Sequence, residues 1–258
     1  MPNYKTHSIH SEEVIKDIKK ETYIDIEDLK KFSFGPDALL LTNYQLFEYQ
    51  HANKTKYYFE TLLKMIKKNK LYNDSQVMSF LYGQLNHYIL DAITHPLIYY
   101  MTENMPKNYK INPHTMIEMW IDDYIMINYN KLDADYYKKR LIIKNNLKNL
   151  INSIYLKIFH KKNIYKDYEF GILSFQEFDK KIRNNKNLLI KLISSQLNIG
   201  DFFYQRDLER IKPYLNLEHN VFYNPVTGEH STSSFNDLWY KAIEIGKDTI
   251  EDANNYLY

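Results

Sequence analysis

The 258-residue chain contains no cysteine. That excludes a disulfide framework, thiolate metal sites and a cysteine nucleophile. Its six glycines and seven prolines are too few for a turn-dense all-β protein. The N-terminus, Met1-Pro2-Asn3-Tyr4-Lys5-Thr6-His7, shows no basic stretch followed by an apolar run. No secretory signal is read there, and a cytoplasmic location is expected. There is no Gly-x-Ser-x-Gly elbow, no phosphate-binding Gly-Lys loop and no dinucleotide fingerprint. The His-Asp dipeptide of one class of helical metallophosphohydrolases is also absent. Internal repeats and long Gly/Ser-rich or Pro-rich linkers are absent too. Charge of one sign is equally scarce, with 34 Lys/Arg against 32 Asp/Glu and a net +2. No global field directs the chain to nucleic acid.

What is present is apolar residues at 44% and charged residues at 26%, the balance of a folded globular protein. Tyr reaches 25 residues. A stacking surface is one reading of that number, and A/T-rich codon usage is the simpler one. Residues 138–191 carry 14 Lys/Arg against 4 Asp/Glu. A solvated helix face explains such a strip, and a track for anionic lipid or nucleic acid is the alternative.

Helical periodicity recurs along the chain. It predicts helices over 11–20, 53–69, 75–94, 114–130, 134–159, 175–184, 187–198, 201–212 and 235–256. Asn112-Pro113 reads as an N-cap followed by Pro at the first helical position. Ser174-Phe175-Gln176-Glu177 reads as a capping box, and Ser234 with Asp237 as a near version. Asn224-Pro225-Val226-Thr227-Gly228 reads as a turn. The expected architecture is all-α, a single multi-helix bundle spanning 1–258. The stretch Phe80 to Met101 is apolar, but Gln84, Asn86, His87, Asp91 and His95 interrupt it. A membrane span with that polar load would be costly, so stable membrane insertion is not expected. Pro96 is expected to end the helix and to push His95 out of helical geometry.

The histidine spacing carries the chemistry. His87, Asp91 and His95 stand at i, i+4 and i+8. Four residues advance a helix face by only about 40° past a full turn, so the three share one stripe. An imidazole, a carboxylate and an imidazole on one stripe suit a zinc ion, and the carboxylate can bridge two metals. His114 and Glu118 repeat the i, i+4 geometry, and Asp122 continues it as a group that can orient a ligating histidine. Two such stripes facing each other in a bundle enclose a metal site. Taken singly, each pair is also an ordinary hydrogen bond on a surface helix.

The ordered set of motifs resembles the zinc-dependent phospholipase C family, in a short bacterial form without a signal peptide. The set begins with Tyr4-Lys5-Thr6-His7, Gly35-Pro36-Asp37 and Gln50-His51. It continues with Leu85-Asn86-His87-Tyr88-Ile89-Leu90-Asp91, Thr94-His95-Pro96 and His114-x3-Glu118. It closes with Asn224-Pro225-x-Thr227-Gly228 and Ser234-Phe235-x-x-Leu238. The resemblance implies a helical fold shared with single-strand nucleases of the P1 type, holding two to three zinc ions. It implies a first metal on Asp37, His51, His87 and Asp91, and a second on His95, His114 and Glu118. A third would take His7, with Asp91 bridging. In secreted relatives a mature N-terminal tryptophan completes that third site. This chain departs from the pattern and offers the Pro2 amine or His10 instead. Secreted toxin relatives also carry a C-terminal β domain, whereas here helical pattern continues to Asn255.

The function implied is zinc-assisted hydrolysis of a phosphodiester, with Asp37 and Glu118 as proton-transfer groups. The substrate would be a small phosphodiester or a phospholipid headgroup. Two alternatives remain at this point. One is a nuclease or nucleotidase on the same site, with Tyr44, Tyr49, Tyr88 or Trp120 as stacking platforms. The other is a non-enzymatic helical metal-binding scaffold. Histidine and carboxylate ligands without thiolate also accept Fe, Mn or Ni. His160, His219 and His230 are expected on the surface, Trp239 in the core. The sequence carries no marker of oligomeric state.

Overall fold

A computed structural model describes residues 4–18, 24–52, 55–106, 112–131, 140–183 and 208–258. Helices build it: α1 Tyr4–Ile15, α2 Ile26–Phe32, α3 Tyr44–Ala52, α4 Thr55–Lys68, α5 Ser75–Glu103, α6 Pro113–Asn128, α7 Asn145–Phe159, α8 Ile164–Arg183, α9 Leu208–Ile211 and α10 Phe235–Leu257. A 3-10 turn, Gly35–Leu39, joins α2 to α3. Two-residue strands, β1 Phe222–Tyr223 and β2 His230–Ser231, pair antiparallel. They flank the expected turn, where Gly228 takes φ +76° and its N–H donates to the Asn224 carbonyl at 2.8 Å. The all-α expectation therefore holds, with one small ribbon added among the described residues.

Several boundaries differ from the sequence reading. The helix carrying His87 does not stop at Pro96 but runs on to Glu103. Proline removes one N–H from the ladder, a local cost. Side-chain donors brace the turns around it: Thr94 Oγ1 donates to the Leu90 carbonyl at 2.8 Å, and His95 Nδ1 lies 3.1 Å from the Asp91 carbonyl. Leu97 and Ile98 beyond the proline are fully buried, so packing outweighs the lost bond. His95 is consequently helical. The capping box at Ser174 is also corrected. It lies inside α8, whose buried stripe Ile164, Tyr168, Ile172 and Phe175 passes through it at helical spacing. The helix expected from 134 begins at Asn145 within the described residues. Just before it, Ile143 and Lys144 donate their N–H groups to Glu169 and Gln76 side chains instead of to a helical ladder. Helices α2, α3 and the first turns of α1 were not expected. The predicted helix 187–198 and most of 201–212 lie outside the described residues, as does part of the basic strip.

Two caps match expectation. The Asn112 side chain accepts from the His114 N–H at 2.9 Å, with Pro113 at the first helical position. Ser234 and Asp237 bond reciprocally at the start of α10, Ser234 N–H to Asp237 Oδ2 at 2.8 Å and Asp237 N–H to Ser234 Oγ at 3.2 Å.

The chain divides into two compact units. One comprises Met1–Thr6, Leu90–Ala134 and Glu177–Ala242. Its core joins Met116, Ile117 and Ile121 of α6 with Phe235 and Trp239 of α10, and the Trp239 indole N–H donates to the Tyr129 hydroxyl at 2.8 Å. The other comprises His7–Ile89, Asp135–Gln176 and Ile243–Tyr258. Its core contains Phe32, Phe80, Tyr58, Tyr155, Tyr168 and Phe175, all fully buried. Among the described residues no helix is long and apolar enough to cross a membrane.

Candidate metal centre

In the second unit the site starts at a glycine. Gly35 takes φ +56°, and a Cβ there would stand 2.3 Å from the His87 ring. Only glycine lets the backbone approach the imidazole this closely. Two residues on, Asp37 is 4% exposed. Its Oδ1 lies 3.0 Å from His51 Nε2 of α3 and 4.0 Å from His87 Nε2 of α5. The ligand atoms of Asp37, His51 and His87 all fall within 4.8 Å of one another. His7 of α1 is buried and stacks on the His87 ring, centroids 4.3 Å apart.

The far side of each ring fixes its tautomer. His51 Nδ1 lies 2.9 Å from the Phe47 carbonyl, and His87 Nδ1 lies 3.1 Å from the Ser33 carbonyl. A carbonyl offers only lone pairs, so each Nδ1 carries the hydrogen. In the neutral ring Nε2 then presents a lone pair. His51 Nε2 points it at a carboxylate oxygen 3.0 Å away. Two lone pairs at that distance repel unless a cation, proton or metal, sits between them. Metal-ligating histidines commonly donate their other ring N–H to a backbone carbonyl in this way.

The first unit contains a second cluster. His95 Nε2 and His114 Nε2 lie 3.3 Å and 3.1 Å from Glu118 Oε1. The ligand atoms of these three residues again lie within 4.8 Å. Asp91 Oδ1 is 3.3 Å from His95 Nδ1. The Asn112 cap and Pro113 set His114 in the first turn of α6, and Tyr99 stacks on its ring at 5.3 Å. Burial opposes a charge on His95, but the Asp91 and Glu118 carboxylates outweigh it and push its pKa up to about 9. Burial likewise opposes the Glu118 charge, yet hydrogen bonds from His114 and His95 bring it down to about 2. Each shift is caused by the other group: the carboxylates favour a charged imidazole, and the imidazoles favour a charged carboxylate.

The structure therefore brings Asp37, His51 and His87 together, and separately His95, His114 and Glu118. It sets Asp91 beside His95 and His7 against His87. His10 is buried on α1, and Pro2 lies outside the described residues. Asp122 Oδ1 accepts the Thr6 N–H at 2.8 Å and the Thr6 hydroxyl at 2.7 Å. His160, His219 and His230 are exposed, as expected. Trp120 packs on Tyr214 at 5.5 Å, while Tyr44 and Tyr49 are exposed. The Ser33 and Phe47 carbonyls that orient the rings were not foreseen, since main-chain acceptors have no side-chain signature.

A family model described as zinc dependent phospholipase C matches residues 6–165. The chain belongs to the zinc-dependent phospholipase C family. The matched span holds every candidate ligand from His7 to Glu118, whereas the Asn224 to Leu238 motifs lie beyond it. Neither the curated proteins nor the solved structures supply a match to this family member. Both histidine–carboxylate clusters offer the nitrogen and oxygen donors that a zinc ion accepts.

Proposed function

We propose that this chain is a zinc-dependent phosphodiesterase of the phospholipase C type, acting on a phospholipid headgroup or a related small phosphodiester. Asp37, His51 and His87 hold one ion; His95, His114 and Glu118 hold another. His7 and Asp91 complete the proposed ligand set, for two to three zinc ions in all. Bound zinc supplies hydroxide at neutral pH by lowering the pKa of water from about 16 toward about 7. The chain's own residues do the rest. The Ser33 and Phe47 carbonyls keep the imidazoles in the ligating tautomer. Asp37 Oδ2 and Glu118 Oε2 are the carboxylate atoms proposed to take and return the proton of the attacking water. Burial of both carboxylates excludes bulk water and strengthens their hold on positive charge.

One observation supports the reading: each cluster aims at least one imidazole Nε2 at a carboxylate oxygen about a hydrogen-bond length away. The test is zinc by elemental analysis on protein purified without chelator or a His tag, followed by turnover on phosphatidylcholine and a chromogenic phosphodiester. Two to three zinc per chain with turnover is expected, and Asp91→Asn should lose both tight zinc and activity. Full turnover in a folded Asp91→Asn protein, or no zinc after supplementation, overturns the proposal. The second result would favour a helical scaffold.

A further inference from the structure

The Asp37, His51 and His87 cluster is carried by two backbone segments. The Gly35 turn supplies Asp37, and the end of α3 supplies His51. Both segments are tied from behind by buried phenols on α7 and α8. The Tyr155 hydroxyl donates to Gln50 Oε1 at 2.8 Å, next to His51 in sequence. The Tyr168 hydroxyl donates to the Gly35 carbonyl at 2.7 Å, two residues before Asp37. It also lies 3.2 Å from Gln84 Oε1, and the Gln84 amide donates to the Phe32 carbonyl at 3.2 Å, next to the Ser33 that accepts from His87. The two phenol rings meet edge to face, centroids 6.3 Å apart. Both tyrosines are fully buried. The fit is tight as well: a Cβ on Gly171, one turn after Tyr168, would stand 1.7 Å from the Ala38 carbonyl oxygen. Helix α8 thus lies backbone against backbone with the turn that holds Asp37.

We propose that Tyr155 and Tyr168 are positioning residues for this metal site: their hydroxyls fix the spacing of His51 against Asp37 and His87. The inference rests on the reading of these side chains as metal ligands. The phenols touch neither metal nor substrate. They act through Gln50 and the Gly35 carbonyl, so their loss leaves the ligands present but loosely spaced. Loss of groups that orient ligands typically costs about 10–100-fold in metal affinity. The His95, His114 and Glu118 cluster has no share in these bonds.

The experiment is zinc titration of the full chain against a chromophoric chelator, with cobalt(II) absorption as a second readout. It compares the native protein, Tyr168→Phe and the double variant Tyr155→Phe/Tyr168→Phe. Phenylalanine keeps the ring packing and removes only the hydroxyl. A Glu118→Gln protein identifies which class of sites is which, because it removes a ligand of the other cluster. Tyr124→Phe is the control, a tyrosine that donates to Asn236 away from these bonds. Tenfold or greater weakening confined to the Asp37 class, with an altered cobalt band, is expected. Equal weakening of both classes, or none in either, overturns the inference. Tyr168→Phe alone decides the matter if the double variant does not fold. Failure of the native protein to bind zinc would instead sink the functional reading, so the two failures are separable.

Discussion

At the residue scale His95 shows what the site demands. Its ring lies between Asp91 on its own helix and Glu118 on α6. Without metal a second proton must fill the gap, which is why its pKa is pushed up to about 9. The stability this contributes is complete below the ordinary value of 6.5 and drains away as pH rises through about 9. Glu118 runs the other way. Its contribution is complete above the ordinary 4.5 and is lost as pH falls through about 2. The metal-free protein should therefore be most stable between about pH 4.5 and 6.5. Zinc replaces the proton on His95, so loading should extend the plateau to alkaline pH and make acid release the metal. Urea midpoints across pH, with chelator and with zinc, check this; a metal-free optimum above pH 8 would refute it. Glu118→Gln should abolish zinc at this cluster and lower turnover by about 100-fold or more, the effect of removing a ligand from a metal that stabilises charge. The i, i+4 pairing of His114 with Glu118 was legible from spacing alone. The Asp37 partner of His51 was not, because nothing in the sequence separation of 14 residues reports their 3.0 Å approach. Only the resemblance pointed to it.

At the element scale the site depends on two glycines and tolerates one proline. Gly35→Ala would place a methyl 2.3 Å from the His87 ring at a backbone angle of +56°. The left-handed angle alone costs about 1–2 kcal/mol, and the ring must also move. Helical circular dichroism should survive while zinc at the Asp37 cluster is lost; retention of full zinc would contradict the geometry. Gly171→Ala meets a carbonyl oxygen at 1.7 Å, backbone against backbone, and cannot be relieved by a rotamer. A loss of about 3 kcal/mol in denaturant stability is expected, at the upper end of overpacking costs. The long periodic helices α4, α6, α7 and α10 were legible in the apolar pattern. α2 was not, because seven residues hold too few turns to show a period. Pro96 misled for a related reason. Local propensity predicts a stop, and the choice to continue is made by the burial of Leu97 and Ile98 just beyond it. The same competition placed Ser174 inside a helix instead of at its cap.

At the scale of the whole molecule each compact unit holds one histidine–carboxylate cluster of its own. Asp37, His51 and His87 belong to one unit, and His95, His114 and Glu118 to the other. Metal bound at both clusters would therefore be linked to the stability of both units. A ligand held by the folded state alone stabilises it by about 4.1 kcal/mol per site when free zinc is 1,000 times the dissociation constant. For a chain of about this size 1 kcal/mol moves the melting temperature by about 2–4 °C. Chelation should thus lower the melt by about 8–16 °C per occupied site. Calorimetry with buffered zinc and with chelator measures the shift. Asp37→Asn should remove the part of it that belongs to the unit carrying His51 and His87, and Glu118→Gln the part that belongs to the other. A chelator that leaves the melt unmoved would mean that no tight metal is held by the folded chain. A shift abolished entirely by either single substitution would mean that the two clusters fill as one.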